Sequence, residues 1–120
     1  MERKIKLTRR EEDILHVLWR SDKALSARVI ADETDISMNT VQAVLRKLLK
    51  GEYIETASIG YSGTVLTREY VATITEDTYY ATLISNSAMK NLVANFINND
   101  ADKSDLDQLS ELIAAKKDED

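Results

Sequence analysis

The stretch Ser37-Met-Asn-Thr-Val-Gln-Ala-Val-Leu-Arg-Lys-Leu-Leu-Lys-Gly51 decides how the chain is read. Val41, Val44, Leu45 and Leu48 recur at helical intervals and make one apolar stripe. Ser37 is an N-cap residue in front of that stripe, its hydroxyl able to accept a bond from the first-turn amides. Gly51 stands just past the end, where a left-handed C-cap suits glycine. The other side of this helix collects Asn39, Gln42, Ala43, Arg46 and Lys50, flanked by Thr40 and Lys47. Arg can bond guanine with two donors, Asn and Gln can bond adenine, and Ala can pack on a thymine methyl. Lys47, Lys50 and Ser37 suit phosphates. No acid lies between Ser37 and Gly51, although the chain carries 21 Asp and Glu in all. A carboxylate on this face would be repelled by phosphate, so the gap points to double-stranded DNA.

Two shorter helices precede this one. Thr8 and Glu11 have the spacing of a capping box, and Ile14, Leu15, Leu18 and Trp19 follow at helical intervals. Ser26 caps a second helix carrying Val29 and Ile30, and Thr34-Asp35 makes the turn into the third. After Gly51 the pattern changes. Residues 53–59 and 64–74 are rich in β-branched and aromatic side chains, and Gly60-Tyr-Ser-Gly63 separates them, which predicts a hairpin. Three helices and a hairpin in that order are the order of a winged helix-turn-helix, whose third helix enters the major groove while the hairpin touches the backbone beside it. The expected fold is mainly α with a small β-hairpin: a winged helix-turn-helix DNA-binding domain over residues 1–74 and a helical dimerisation arm over residues 75–120. At the hairpin, Tyr61, Ser62 and Arg68 are either phosphate contacts or plain turn residues.

Composition agrees once it is divided. The net charge of −5 taken whole disfavours nucleic acid, but residues 1–50 hold 11 Lys and Arg against 8 Asp and Glu, whereas residues 51–120 hold 5 against 13. Such asymmetry gives the two halves different partners. The absence of cysteine excludes disulfides and thiolate chemistry, and His16, a lone histidine, leaves no imidazole relay and no His-rich metal site. Neither a phosphate loop nor a supported carboxylate pair is present, so an enzyme is not expected, and neither is a cofactor. No apolar run approaches the roughly 18 residues of a membrane span, and the first residues lack a signal core. These exclusions place the protein in the cytoplasm, away from membranes. His16 reads as a surface residue and Trp19 as core.

At this point a resemblance becomes specific. Leu7-Thr-Arg-Arg-Glu-Glu-Asp-Ile-Leu-His-Val-Leu-Trp19, the stretch from Ser37 to Leu48 and Asn91-Leu-Val-Ala-Asn-Phe96 are similar, in this order, to the motifs of the bacterial penicillinase-repressor family of winged-helix transcriptional repressors. The resemblance covers nearly the whole chain. It implies a homodimer on a palindromic operator, with the C-terminal helices making the dimer, and derepression by an inducing signal. In the β-lactamase branch a membrane sensor protease leads to cleavage at an Asn-Phe bond, and Asn95-Phe96 occupies that position. The chain also departs from the family. Glu12 stands where Trp is frequent, the connection between the second and third helices is shorter, and the Cys-rich tail of the copper-responsive branch is missing.

The C-terminal segments carry Tyr79, Tyr80, Leu83, Ile84, Leu92, Val93, Phe96, Ile97, Leu106, Leu109, Leu112 and Ile113 on amphipathic faces, with the last helix expected from Ser104. A two-fold partner is one cover for that surface, and folding back onto the winged domain is the other. Phe96 is likewise either a packing residue of its helix or one side of a cleaved bond. The rival to a repressor is a winged-helix protein-interaction module that never touches DNA.

Overall fold

The computed structural model describes residues 6–62 and 65–119, apart from the side chains of residues 58, 60–62 and 65. Helix α1 (Arg9–Arg20) opens on the expected capping box: Thr8 Oγ1 accepts from the Glu11 amide at 3.3 Å, and Glu11 Oε1 accepts from the Thr8 amide at 2.8 Å. Helix α2 (Ala27–Thr34) is capped by Ser26. Its exit is built by Thr34, whose hydroxyl donates to the Ile30 carbonyl at 2.7 Å and accepts from the Ile36 amide at 3.3 Å. Asp35 then takes a left-handed conformation with φ 58°, which a short polar side chain tolerates better than most. Ser37 caps helix α3 (Met38–Lys50).

The end of α3 differs from expectation. Gly51 has φ −80°, a right-handed conformation open to any residue. The left-handed residue is Glu52, with φ 64°. What requires glycine at 51 is room: a Cβ there would lie 2.5 Å from Cε2 of the Tyr53 ring. The Tyr53 amide closes the reversal on the Leu48 carbonyl at 2.9 Å.

Strands β2 (Ile54–Ser62) and β3 (Val65–Ala72) form the expected hairpin, running from Ile54↔Ala72 to Ser62↔Val65. A bulge at Ala57 separates Thr56↔Tyr70 from Ser58↔Glu69. The sheet has a third strand that periodicity did not reveal. Strand β1 (Leu25–Ser26) pairs antiparallel with β3, Leu25 opposite Tyr70 and Ser26 opposite Glu69, so the order is β1-β3-β2. Two residues are too few to show an alternation. This strand ties the start of α2 to the wing.

The core joins one face of each of these elements. Ile14, Leu15 and Leu18 of α1 meet Ile30 of α2, Val41, Val44, Leu45 and Leu48 of α3, and Ile54 and Tyr70 of the sheet. Ile36, in the turn, is buried with them.

Helix α4 (Glu76–Ala81) belongs to the same compact unit, which ends at Leu83, beyond the expected boundary at residue 74. The reason is aromatic packing on α1: Trp19 lies 5.8 Å from Tyr79 and 6.2 Å from Tyr80 between ring centroids. The second unit begins at Ile84 and holds α5 (Asn86–Asn95), a π-turn over Phe96–Asp100 and α6 (Lys103–Asp118). Helix α6 starts ahead of Ser104, because Asp102 and Asp105 form a reciprocal capping box with bonds of 2.8 and 3.1 Å. Among the described residues no helix is long and apolar enough to cross a membrane.

Candidate nucleic-acid interface

The apolar stripe of α3 is buried, and its other side is therefore displayed. Ser37, Asn39, Thr40, Gln42, Arg46, Lys47 and Lys50 are exposed, and Ala43 is half-buried. Ser37 and Thr40 are bonded to each other: Ser37 Oγ accepts from the Thr40 amide at 3.3 Å and donates to the Thr40 hydroxyl at 3.0 Å. This cap holds the first turn of α3 in place.

A concavity of about 960 Å³ opens between α3, the first turn of α2 and β3. Gln42 and Arg46 line it from α3, Arg28 and Val29 from α2, and Leu66 and Arg68 from β3. Leu66, Arg68 and Tyr70 alternate along β3, so they share the face that Tyr70 turns to the core. Three arginines thus line one groove from three elements, and among the described residues no carboxylate lines it. Among the described residues none of the three arginines is held in an ion pair. Unpaired like charges around a groove make a field that attracts polyanions. Asn39, Ala43, Lys47 and Lys50 are not walls of this groove. Tyr61 pairs with Leu66 in register and Ser62 with Val65, and the side chains of Tyr61 and Ser62 lie outside the described residues. Arg28, Val29 and Leu66 were not expected here. The β1–β3 pairing ties the start of α2 to the wing.

The residues expected on a dimer face divide between the two units. Tyr79 is wholly buried in the first unit and presents no surface to a partner. Its hydroxyl donates to Glu12 Oε2 at 2.6 Å and accepts from the Leu7 amide at 3.4 Å. Burial, helped by that bond to Glu12, pushes the Tyr79 hydroxyl up to about 12. Tyr80 is half-buried beside it, 2.8 Å from His16 Nε2, and burial followed by the charges of Glu12 and Glu76 raises its pKa. His16 is accordingly a packed residue, set edge-on to Trp19 at 5.2 Å, and not the open surface histidine expected. Trp19 donates its indole N–H to the Ile74 carbonyl at 2.8 Å. Glu12, a departure from the family pattern, is the acceptor that fixes α4 on α1.

In the second unit Leu92, Val93, Phe96, Leu106, Leu112 and Ile113 are exposed, with Met89 and Ile97 beside them, while Leu109 is half-buried. Leu83, at the end of the first unit, is half-buried too. Asn95 and Phe96 both have helical backbone, with φ,ψ of −62°,−42° and −61°,−48°. Among the described residues no cluster of three His, Asp or Glu could hold a metal ion.

The family model described as penicillinase repressor matches residues 7–115. The chain belongs to the penicillinase repressor family. Family and fold are those of DNA-binding transcriptional repressors. No curated protein matches the chain. Among solved structures, the zinc-responsive MarR family member ZitR of Lactococcus lactis superposes with a TM-score of 0.51 at 19% identity, over 98% of this chain and 79% of that one. The organohalide-sensing regulator RdhR-CbdbA1625 gives 0.53 at 17% identity, over 94% of this chain and 64% of that one. The ferric uptake regulator of Helicobacter pylori gives 0.43 at 25% identity over 56% of this chain, which spans about half (47%) of that regulator's length. The first two likenesses bear on the fold of this penicillinase repressor relative: they are winged-helix regulators.

Proposed function

We propose that the chain represses transcription in the cytoplasm as a homodimer, each winged domain reading half of a palindromic operator in double-stranded DNA. Arg46, Gln42, Asn39 and Ala43 read bases in this scheme. Ser37, Thr40, Lys47, Lys50 and the wing residues Tyr61, Ser62 and Arg68 position the backbone. The observation that carries it is the groove beside α3, which among the described residues is lined by three arginines outside any ion pair and by no carboxylate.

The dimer is assigned to the second unit, through Leu92, Val93, Phe96, Leu106, Leu109, Leu112 and Ile113. All of these but the half-buried Leu109 are exposed, and exposed apolar side chains gathered on amphipathic helices mark an interaction surface. Derepression is assigned to an inducing signal passed on by a sensor protease, with Asn95-Phe96 as the bond broken. That peptide is helical, and a protease takes its substrate extended, so the segment has to unwind first. The π-turn that follows is a weak point at which unwinding can start.

The test of the DNA reading is fluorescence anisotropy on a labelled duplex from the chain's own upstream region. Arg46→Ala is expected to cost about 1–3 kcal/mol and to relax discrimination at one base pair. Unchanged affinity and unchanged base preference would remove Arg46 from the reading face. For cleavage, fragments from induced cells are mapped by mass, and persistence of the intact chain throughout induction rules out the Asn95-Phe96 route.

A further inference from the structure

The groove contains one charge that the proposed function has not used. Arg28 lies on the first turn of α2, exposed and, among the described residues, without a carboxylate partner. Strand β1 places it. Ser26 is paired with Glu69 across the β1–β3 ladder, Arg28 follows two residues later, and Arg68 precedes Glu69 on β3. Arg28 and Arg68 therefore enter the same groove from adjoining elements. Two like charges lining one groove, with no anion held between them among the described residues, add nothing to folding. An arginine fork matches a phosphate with two parallel N–H···O bonds.

We propose that Arg28 and Arg68 each hold a phosphate, one apiece, and together clamp the DNA backbone beside the half-site read by α3. The clamp rests on the DNA-binding reading of α3 and adds a residue from α2 to it. Arg28 contributes affinity without sequence preference, because a phosphate is the same at every step of the duplex. Each phosphate contact contributes about 0.9 to the slope of log K against log salt.

The experiment measures binding of the full-length chain, wild type and variants, to its upstream duplex and to a scrambled duplex between about 50 and 200 mM salt. Arg28→Ala is expected to weaken both duplexes alike, by roughly three- to ten-fold, and to reduce the salt slope by about 0.9. Arg28→Lys keeps the charge and is expected to restore the slope while recovering only part of the affinity. Thermal unfolding without DNA is expected to be unchanged or slightly improved in Arg28→Ala, since no partner is lost. An unchanged slope and affinity in Arg28→Ala, alongside an altered base preference in Arg46→Ala, overturns the clamp and leaves the reading helix standing. Loss confined to the upstream duplex also overturns it, since Arg28 would then be reading a base. If neither Arg28→Ala nor Arg46→Ala changes binding to any duplex, the reading of α3 falls and the clamp with it.

Discussion

Tyr79→Phe removes one oxygen from the clasp between α4 and α1, and its effect can be worked from the structure. The ring is wholly buried and stays packed in the variant. What is lost is the 2.6 Å bond to Glu12 Oε2 and the acceptor that the Leu7 amide uses at 3.4 Å. Hydrogen bonds to charged groups contribute about 1.5–3 kcal/mol. The titration of Tyr79 adds a pH dependence. Its hydroxyl is raised from 10.0 to about 12, chiefly by burial and then by the bond to Glu12. The folded state therefore holds the proton more tightly than the unfolded chain does. The corresponding stability is fully present below pH 10 and is lost as pH rises to about 12. By linkage, a rise of that size corresponds to about 2.7 kcal/mol at the alkaline end. At pH 7 the variant is expected to lose about 2 kcal/mol, a fall in Tm of roughly 8–16 °C for a unit of this size. The assay is thermal and urea unfolding of both proteins at pH 7, then urea midpoints at rising pH. The gap between wild type and variant is expected to close above pH 10, because only the wild type loses this contribution. Glu12→Gln, which keeps an acceptor without its charge, should fall between the two. A Tyr79→Phe protein within about 0.5 kcal/mol of wild type at pH 7, or one whose alkaline fall matches wild type, would refute the clasp.

At the end of α3 two substitutions should act in opposite senses. Gly51→Ala puts a Cβ against the Tyr53 ring and is expected to destabilise by about 1–3 kcal/mol. Glu52→Gly relieves a left-handed residue and is expected to stabilise by up to about 1 kcal/mol in urea unfolding. The reverse order would mean that backbone conformation, and not the ring, governs position 51. In the second unit, Leu112→Asp places a charge on an exposed apolar face. Sedimentation should show it shifting toward monomer, with weaker binding to a full palindrome and little change on a single half-site. A variant that sediments as wild type would take Leu112 out of the dimer interface.

Local sequence determined the first three helices, their starts and the polar side of α3. Thr8, Ser26 and Ser37 all cap as expected, because an N-cap bond closes within three residues of the cap. The acid-free face of α3 was legible for the same reason: a helix sets its own faces at 100° per residue, whatever it packs against. Features joined across long separations were not legible. The two residues of β1 have no period of their own and become a strand only by pairing with β3. That pairing brings Arg28 to the groove. Tyr79 has the spacing of an amphipathic stripe, and spacing alone is silent on what covers it. A glutamate 67 residues earlier in the chain covers it here, and α4 joins the winged unit in consequence. The sequence by itself therefore determined which side of α3 is left outside the core. Tertiary structure decided which other side chains stand around it, because hydrogen bonds and charge proximity between distant segments exist only once the chain has folded.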